Sequence, residues 1–136
     1  MRAAYLYRMA AVLLVLFAAG HTAGFLTFKP PTAEAMAVRD AMMDVHFQVK
    51  NSEFSYGGFY RGFGLFVTAY LLFSAFLAGY LAKHPAPVIG WALCAVQAVS
   101  LVLSWVYFAA APALFSALVV ACLGGATLSS QTVTRS

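Results

Sequence analysis

A chain of 136 residues in which 63% are hydrophobic and only 9% are charged carries too much apolar sequence for a soluble domain of this length. The composition instead predicts a single membrane domain over residues 1–136. The net charge of +4 is spread along the chain without a dense Lys/Arg run, which argues against nucleic acid as a partner.

Four apolar runs are each long enough to cross a bilayer, which takes about 20 residues in a helix. They predict an all-α, four-helix transmembrane bundle, with helices at about residues 9–28, 60–82, 88–110 and 112–128. The first run follows two basic residues, Arg2 and Arg8, as the core of a signal peptide does. Because the run is long for that role, we expect a retained helix.

The loop between the first two runs carries all four carboxylate side chains of the protein. Within residues 32–49, apolar side chains recur at steps of three and four, which is the period of a helix. These side chains are Ala35, Val38, Met42, Val45 and Val49. The pattern predicts an amphipathic helix in the first loop, lying in the membrane interface or folded over the bundle.

Polar side chains inside membrane spans are costly, and they point first to binding or catalytic sites. Most of those in this chain lie in the half of the membrane nearest the acidic loop. The candidates for ligand binding are His21, Tyr60, Arg61, Gln97, Ser100 and Ser104, with Asp44 and Glu53 of the loop as partners for His21. Hydrogen bonding between helices explains Gln97 and the serines equally well, and that alternative stays open.

The sequence contains no recognisable metal or cofactor pattern. His21, His46, Asp44 and Glu53 do not match a zinc-ligand spacing, so we expect no metal and no cofactor. A Ser–His–acid arrangement for nucleophilic catalysis is also missing, as is a GxSxG motif.

Small residues recur every four positions along the last predicted helix. They are Ala113, Ala117, Ala121 and Gly125. Rows of this kind let membrane helices approach closely, so they predict packing surfaces within the bundle or between subunits. The expected partners are therefore membrane lipids and either a second copy of this chain or another membrane protein.

Two short motifs resemble a known group of proteins. HTxG at residues 21–24 ends the first run, and SYxxFYxGFGL at residues 55–65 opens the second. With the methionine-containing loop helix between them, they resemble an uncharacterised family of small four-helix bacterial integral membrane proteins with no assigned activity. The resemblance covers about residues 10–75 and implies the fold and a bacterial inner-membrane location, but no reaction. In that family a Trp and an Asp often occupy the positions of Gly57 and Gly58.

Three functions stay open, and whether the chain is an enzyme is undecided. The polar asymmetry favours a small inner-membrane protein that binds a lipid-like or other apolar ligand in a cavity on the loop side. The second is a membrane-embedded lipid-modifying enzyme using His21 with Asp44 or Glu53 as an acid–base pair. The third is a structural or accessory subunit of a membrane complex. Lys and Arg are balanced across the membrane, but Arg2 and Arg8 beside the first helix favour cytoplasmic termini.

Overall fold

The computed structural model describes residues 1–108 and 110–134, with side chains through residue 131. Four of its helices are long and apolar enough to cross a membrane, which confirms the predicted all-α fold of a multi-pass membrane protein. The elements are, in chain order, α1 Arg2–Thr27, α2 Ala33–Asp44, β1 His46–Val49, β2 Ser52–Ser55, α3 Tyr56–Leu81, α4 Pro87–Tyr107 and α5 Ala110–Thr134.

The ends of the helices follow from local chemistry. Pro87 is the first residue of α4 and Pro112 lies in the first turn of α5, where a missing backbone N–H removes no helical hydrogen bond. The α3 helix begins after Ser55, whose hydroxyl accepts a hydrogen bond from the backbone N–H of Gly58 at 3.0 Å. This cap turns the chain directly from the hairpin into the membrane span.

The four long helices form an arc in which α1 packs closely against α3 on one side and α5 on the other. The α4 helix packs against α5, whereas α3 and α4 hardly approach each other along their backbones. Packed helices run antiparallel: the start of α1 meets the end of α5 at Tyr7 and Thr127, and the end of α1 meets the start of α3 at His21 and Gly64. Side chains, rather than close backbones, must therefore close the arc between α3 and α4.

The core is concentrated in the half of the bundle nearest the two termini. Its largest fully buried side chains include Tyr7, Leu14, Leu71, Leu81 and Leu123. We call this part, with residues 7–18 of α1 and 71–81 of α3, the closed half. Beyond it α1 has no buried residue, and α3 has none from 58 to 70. We call that second part the open half.

The first loop differs from its prediction. The α2 helix ends at Asp44, and β1 and β2 then pair as an antiparallel hairpin. Phe47 of β1 lies opposite Phe54 of β2, and their ring centroids are 6.2 Å apart. The prediction of one helix over residues 32–49 is therefore wrong beyond Asp44.

The cause of this error is visible in the sequence. Val45 and Val49 fit the period of a helix, but Phe47 and Val49 also alternate as a strand does, and β-branched and aromatic residues favour strands. Lys50 and Asn51 then supply a two-residue turn, in which Lys50 has a φ of 57°. Strand pairing, which a helical period cannot reveal, decides between the two patterns.

The α2 helix touches the bundle at its C-terminal end. Met43 fits against Gly57, the buried residue in the first turn of α3, where an added Cβ would overlap the Met43 side chain. No residue of α2 is buried, and Val38 on its predicted apolar face is 63% exposed. Most of the predicted apolar face of α2 is therefore not covered by other parts of the chain.

Candidate functional site

His21 joins α1 to α3 in the open half. Its Nε2 lies 3.0 Å from the carbonyl oxygen of Gly64, and because a carbonyl only accepts, Nε2 carries the proton and donates. The ring also stacks on Phe25, with centroids 5.8 Å apart and planes 6° from parallel. His21 is half-buried, and its Nδ1 has no hydrogen-bond partner among the described residues.

Two threonines extend this junction, and one of them, Thr68, lies one turn deeper along α3 than Gly64. Thr22 donates to the carbonyl of Ala18 at 2.7 Å, so its oxygen is free to accept from the Thr68 hydroxyl at 2.8 Å. Across the seam, an added Cβ on Gly64 would overlap the Phe25 ring. The absence of a side chain at Gly64 therefore lets Phe25 lie against α3.

Tyr60 and Arg61 complete this group on the outer side of the seam. The Tyr60 ring contacts Phe25 at a centroid distance of 5.3 Å. Arg61 is four residues after Gly57 and three before Gly64, so it shares the stripe of α3 that faces α2 and α1. Its side chain is nevertheless exposed, and it forms no ion pair within the part of the chain that the structure describes.

The two loop carboxylates do not join this group. Asp44 and Glu53 are both exposed, and neither makes an ion pair or hydrogen bond to His21 among residues 1–108 and 110–131. The ion pair that the structure describes in this loop lies elsewhere, between Arg39 and Asp40 at 3.0 Å. An acid–base pair of the predicted kind is thus not assembled in this conformation.

Gln97 and Ser100 belong to a second group at the middle of the spans. The Nε2 of Gln97 donates to the Tyr70 hydroxyl at 2.7 Å, and Tyr70 lies 3.0 Å from the Ser100 hydroxyl. These bonds connect α3 to α4 where their backbones stay apart. The predicted helix–helix hydrogen bonds are therefore present at this point, and Ser104 lies buried two turns further along α4.

The predicted ligand site is thus divided in two. His21, Tyr60 and Arg61 lie near one another, but Tyr70 is six residues beyond Gly64, which is about 9 Å along a helix. Two concave surfaces lie elsewhere, beside Trp105 and Ala113 on α4–α5 and beside Tyr80 and Lys83 at the end of α3. The contacts of His21 and those of Gln97 therefore form two separate groups.

Part of the row of small residues on α5 packs against other helices of the chain. Ala113 is buried, and an added Cβ on Gly125 would lie 3.4 Å from Leu6 of α1. Ala121 alone of the four is exposed. By contrast, an added Cβ on Gly20 or Gly24 would meet nothing within 4 Å. Two of the four residues, Ala113 and Gly125, therefore pack against the rest of the chain.

Five residues of these groups were not among the sequence candidates: Thr22, Phe25, Gly64, Thr68 and Tyr70. Phe25, Gly64 and Tyr70 supply the ring, the carbonyl and the hydroxyl that the candidates contact. Phe25 directly follows the HTxG motif and Gly64 lies within the FYxGFGL motif, so the two motifs could have indicated both residues. Nothing in the sequence indicated Tyr70, because a tyrosine inside a span is commonly counted with the apolar residues.

Within residues 1–108 and 110–131 no group of three or more His, Cys, Asp or Glu side chains converges on one point. No protein-family model, curated protein or solved structure matches the chain. The resemblance to small four-helix bacterial membrane proteins therefore stays a prediction.

Proposed function

We propose that this protein is a non-enzymatic membrane protein that binds a lipid-like amphiphile at the open half, with Arg61 holding its anionic headgroup. The observation that carries the proposal is the state of Arg61. It lies on the stripe of α3 that meets α1 and α2, it is exposed, and no carboxylate of the described residues neutralises it. A guanidinium with five unused donors suits the two oxygens of a phosphate.

The depth of Arg61 supports a headgroup rather than a soluble anion. It is five residues into α3, which is about 7 Å from the start of the helix and hence near the membrane surface. The Tyr60 ring, one residue before Arg61 on α3, contacts the Phe25 ring of α1. Aromatic rings at this level would suit the apolar part of a ligand whose phosphate is held by Arg61.

The location belongs to the proposal as well. We propose a bacterial inner membrane with both termini in the cytoplasm and α2 and the hairpin outside, supported by Arg2 and Arg8 flanking the first helix. Single cysteines at Glu53 and Lys83, in a chain with Cys94 and Cys122 replaced by alanine, test the sidedness. A membrane-impermeant maleimide should label Glu53→Cys on intact cells and Lys83→Cys only after lysis, and the reverse would overturn the topology.

Each of the two alternative functions predicts a different observation. A lipid-modifying enzyme needs His21 within reach of Asp44 or Glu53, and no such contact supports it in the described residues. An accessory subunit would tolerate loss of both Arg61 and His21 and would co-purify with a defined partner. Neither has an observation in its favour comparable with the unpaired Arg61.

The test is native mass spectrometry of the protein extracted gently from the membrane, with identification of the lipids it retains. Arg61→Ala should reduce retention of an anionic phospholipid about tenfold or more, since a charge-assisted hydrogen bond contributes about 1.5–3 kcal/mol. Arg39→Ala is the matched control, because it removes a loop-side arginine that is already paired with Asp40. It should leave retention unchanged.

The remaining variants separate the headgroup contact from a general charge effect. His21→Ala breaks the bond to Gly64 and should weaken retention less than Arg61→Ala does, because it loosens the seam without removing the charge. Equal retention by the native protein, Arg61→Ala and Arg39→Ala would remove the proposed site. A neutral lipid retained in place of an anionic one would keep a binding site but reject the role of Arg61.

A further inference from the structure

The hairpin of β1 and β2 has one apolar face and one polar face. Residues directly opposite each other in the pairing include Phe47 with Phe54 and Val49 with Ser52. Cross-strand partners lie on the same side of a sheet, and successive residues of a strand alternate between sides, so these four residues share one face. The other face carries the remaining strand residues, which are all polar: His46, Gln48, Glu53 and Ser55.

The apolar face of the hairpin packs against the first turns of α3. The ring centroid of Phe59 lies 5.7 Å from that of Phe47 and 5.7 Å from that of Phe54. Phe47 also contacts the Tyr56 ring at a centroid distance of 4.9 Å. These contacts cover the face only in part, because Phe54 stays 40% exposed and Val49 stays 50% exposed. A second apolar surface is therefore needed to cover the rest.

The cluster of rings continues from the hairpin into the spanning part of α3. The Phe59 ring contacts Phe63, one turn further along α3, at a centroid distance of 6.3 Å. Phe66 and Phe73 follow at steps of three and seven residues, which return to the same side of a helix. All of these rings are exposed on a helix that is long and apolar enough to cross a membrane. The apolar face of the hairpin is therefore continuous with a surface of α3 that lies at the level of the bilayer.

We infer that the hairpin is a membrane-surface anchor, which lies with its apolar face in the interface of a phospholipid bilayer. The lipid that surrounds the exposed rings of α3 extends over this face, because the two surfaces are continuous. The polar face then lies toward water, so that none of its side chains is buried without a partner. Phenylalanine and valine carry no charge and no hydrogen-bond donor, so the anchor recognises the apolar layer of a phospholipid rather than a particular headgroup.

The anchor is separate from the proposed lipid site at Arg61. Arg61 is two residues from both Phe59 and Phe63, which is about 200° around a helix, so it lies on the opposite side of α3. The anchor also has a structural consequence. Because β2 runs directly into α3 at Tyr56, a hairpin held in the interface fixes the height at which α3 enters the membrane.

Spin labels on the two faces of the hairpin test the inference. Val49→Cys and Gln48→Cys place the label at adjacent exposed positions on opposite faces, in a full chain with Cys94 and Cys122 replaced by alanine. In phosphatidylcholine bilayers, power saturation by oxygen and by a water-soluble nickel chelate measures the depth of each label. The label at Val49 should lie about 5–10 Å below the phosphates, as for an interfacial amphipathic segment, and the label at Gln48 at or above them. Both labels above the phosphates would overturn the inference.

A charge placed on each face decides whether lipid is the surface that covers it. With the label at Ser52→Cys, on the apolar face, Val49→Asp should move the label from the lipid into water, because a carboxylate resists burial. Gln48→Asp adds the same charge to the polar face and should leave the depth unchanged. Equal effects of the two aspartates would overturn the inference. So would an immobilised label at Val49 that neither oxygen nor the nickel chelate reaches, because protein rather than lipid would then cover the face.

Discussion

The two halves of the bundle differ in how closely their helices pack. In the closed half the Tyr7 hydroxyl lies 2.9 Å from that of Thr127, and both meet α4 at Gly90, where an added Cβ would overlap them. In the open half, glycines such as Gly20 and Gly62 have nothing within 4 Å of an added Cβ. Gly90 is thus a close-packing position in the closed half, whereas Gly20 and Gly62 lie on open surface in the other half.

This difference separates stability from binding. Helix association in a membrane depends on close van der Waals packing, because lipid is as apolar as the side chains themselves. The closed half offers that packing, so we expect it to dominate the free energy of unfolding. The open half has exposed surface and the unpaired charge of Arg61, so we expect substitutions there to leave the protein folded.

The largest expected effect is loss of a buried leucine in the closed half. Leu14 is fully buried, so Leu14→Ala leaves a cavity and should cost about 2 kcal/mol or more in unfolding free energy. Leu16, 55% exposed on the same helix, is the matched control, and Leu16→Ala should cost about 0.5 kcal/mol or less. Unfolding of both variants by denaturant in detergent micelles measures the difference, and equal losses would contradict the close packing of the closed half around Leu14.

The next effect comes from overfilling the closed half. Gly90→Ala forces the added methyl against Tyr7 and Thr127, and it should cost about 1–3 kcal/mol because both neighbours are buried and hydrogen-bonded. Gly79→Ala is the control, since nothing lies within 4 Å of its added Cβ. It should be neutral or gain up to about 0.5–1 kcal/mol from lower chain entropy. Thermal unfolding of both variants checks the sign.

A smaller effect is expected from the equivalent change in the open half. In Gly64→Ala the new methyl overlaps the Phe25 ring, but that ring is half-buried and can turn away. We expect a net loss below about 1 kcal/mol, because the gain in helix propensity offsets part of the overlap. A loss as large as that of Gly90→Ala, in the same thermal assay, would mean that the open half is packed as tightly as the closed one.

The smallest effect on the stability of the whole protein comes from a change in the hairpin, where the effect is local. Lys50 has a φ of 57°, in the left-handed region that costs a residue with a side chain about 1–2 kcal/mol. Lys50→Gly should therefore raise amide-exchange protection of β1 and β2 about fivefold, for a gain of about 1 kcal/mol. The overall melting temperature should not change. Asn51→Gly, at a position without positive φ, should give no such gain, and an equal gain there would show that φ is not the cause.

Much of the fold could be predicted because a bilayer imposes length and composition on each span. A helix must satisfy its own backbone groups in lipid, so an apolar run of about 20 residues leaves few other structures. The ends of the helices were harder to predict. The α1 helix begins at Arg2, well before the apolar run at residue 9, because a helix continues past its apolar part. The hairpin was missed because strand pairing depends on two segments at once.

The candidate site was predicted only as a set of residues. Polarity within a span marked His21, Arg61 and Gln97, but it could not show that Gln97 faces Tyr70 rather than His21. That assignment depends on how far each helix slides and turns against its neighbour. A rotation of one residue, about 100°, moves a side chain to another face.

The sequence by itself determined a membrane protein with four spanning helices and a charged first loop, because the cost of burying polar backbone in lipid admits little else. Only the tertiary structure decided that one half is closed and the other open, and that the candidates form two groups. It also decided that the apolar face of the hairpin packs against Phe59 of α3. The physical reason is that apolar composition sets which segments enter the membrane, whereas contacts between individual side chains set how those segments meet.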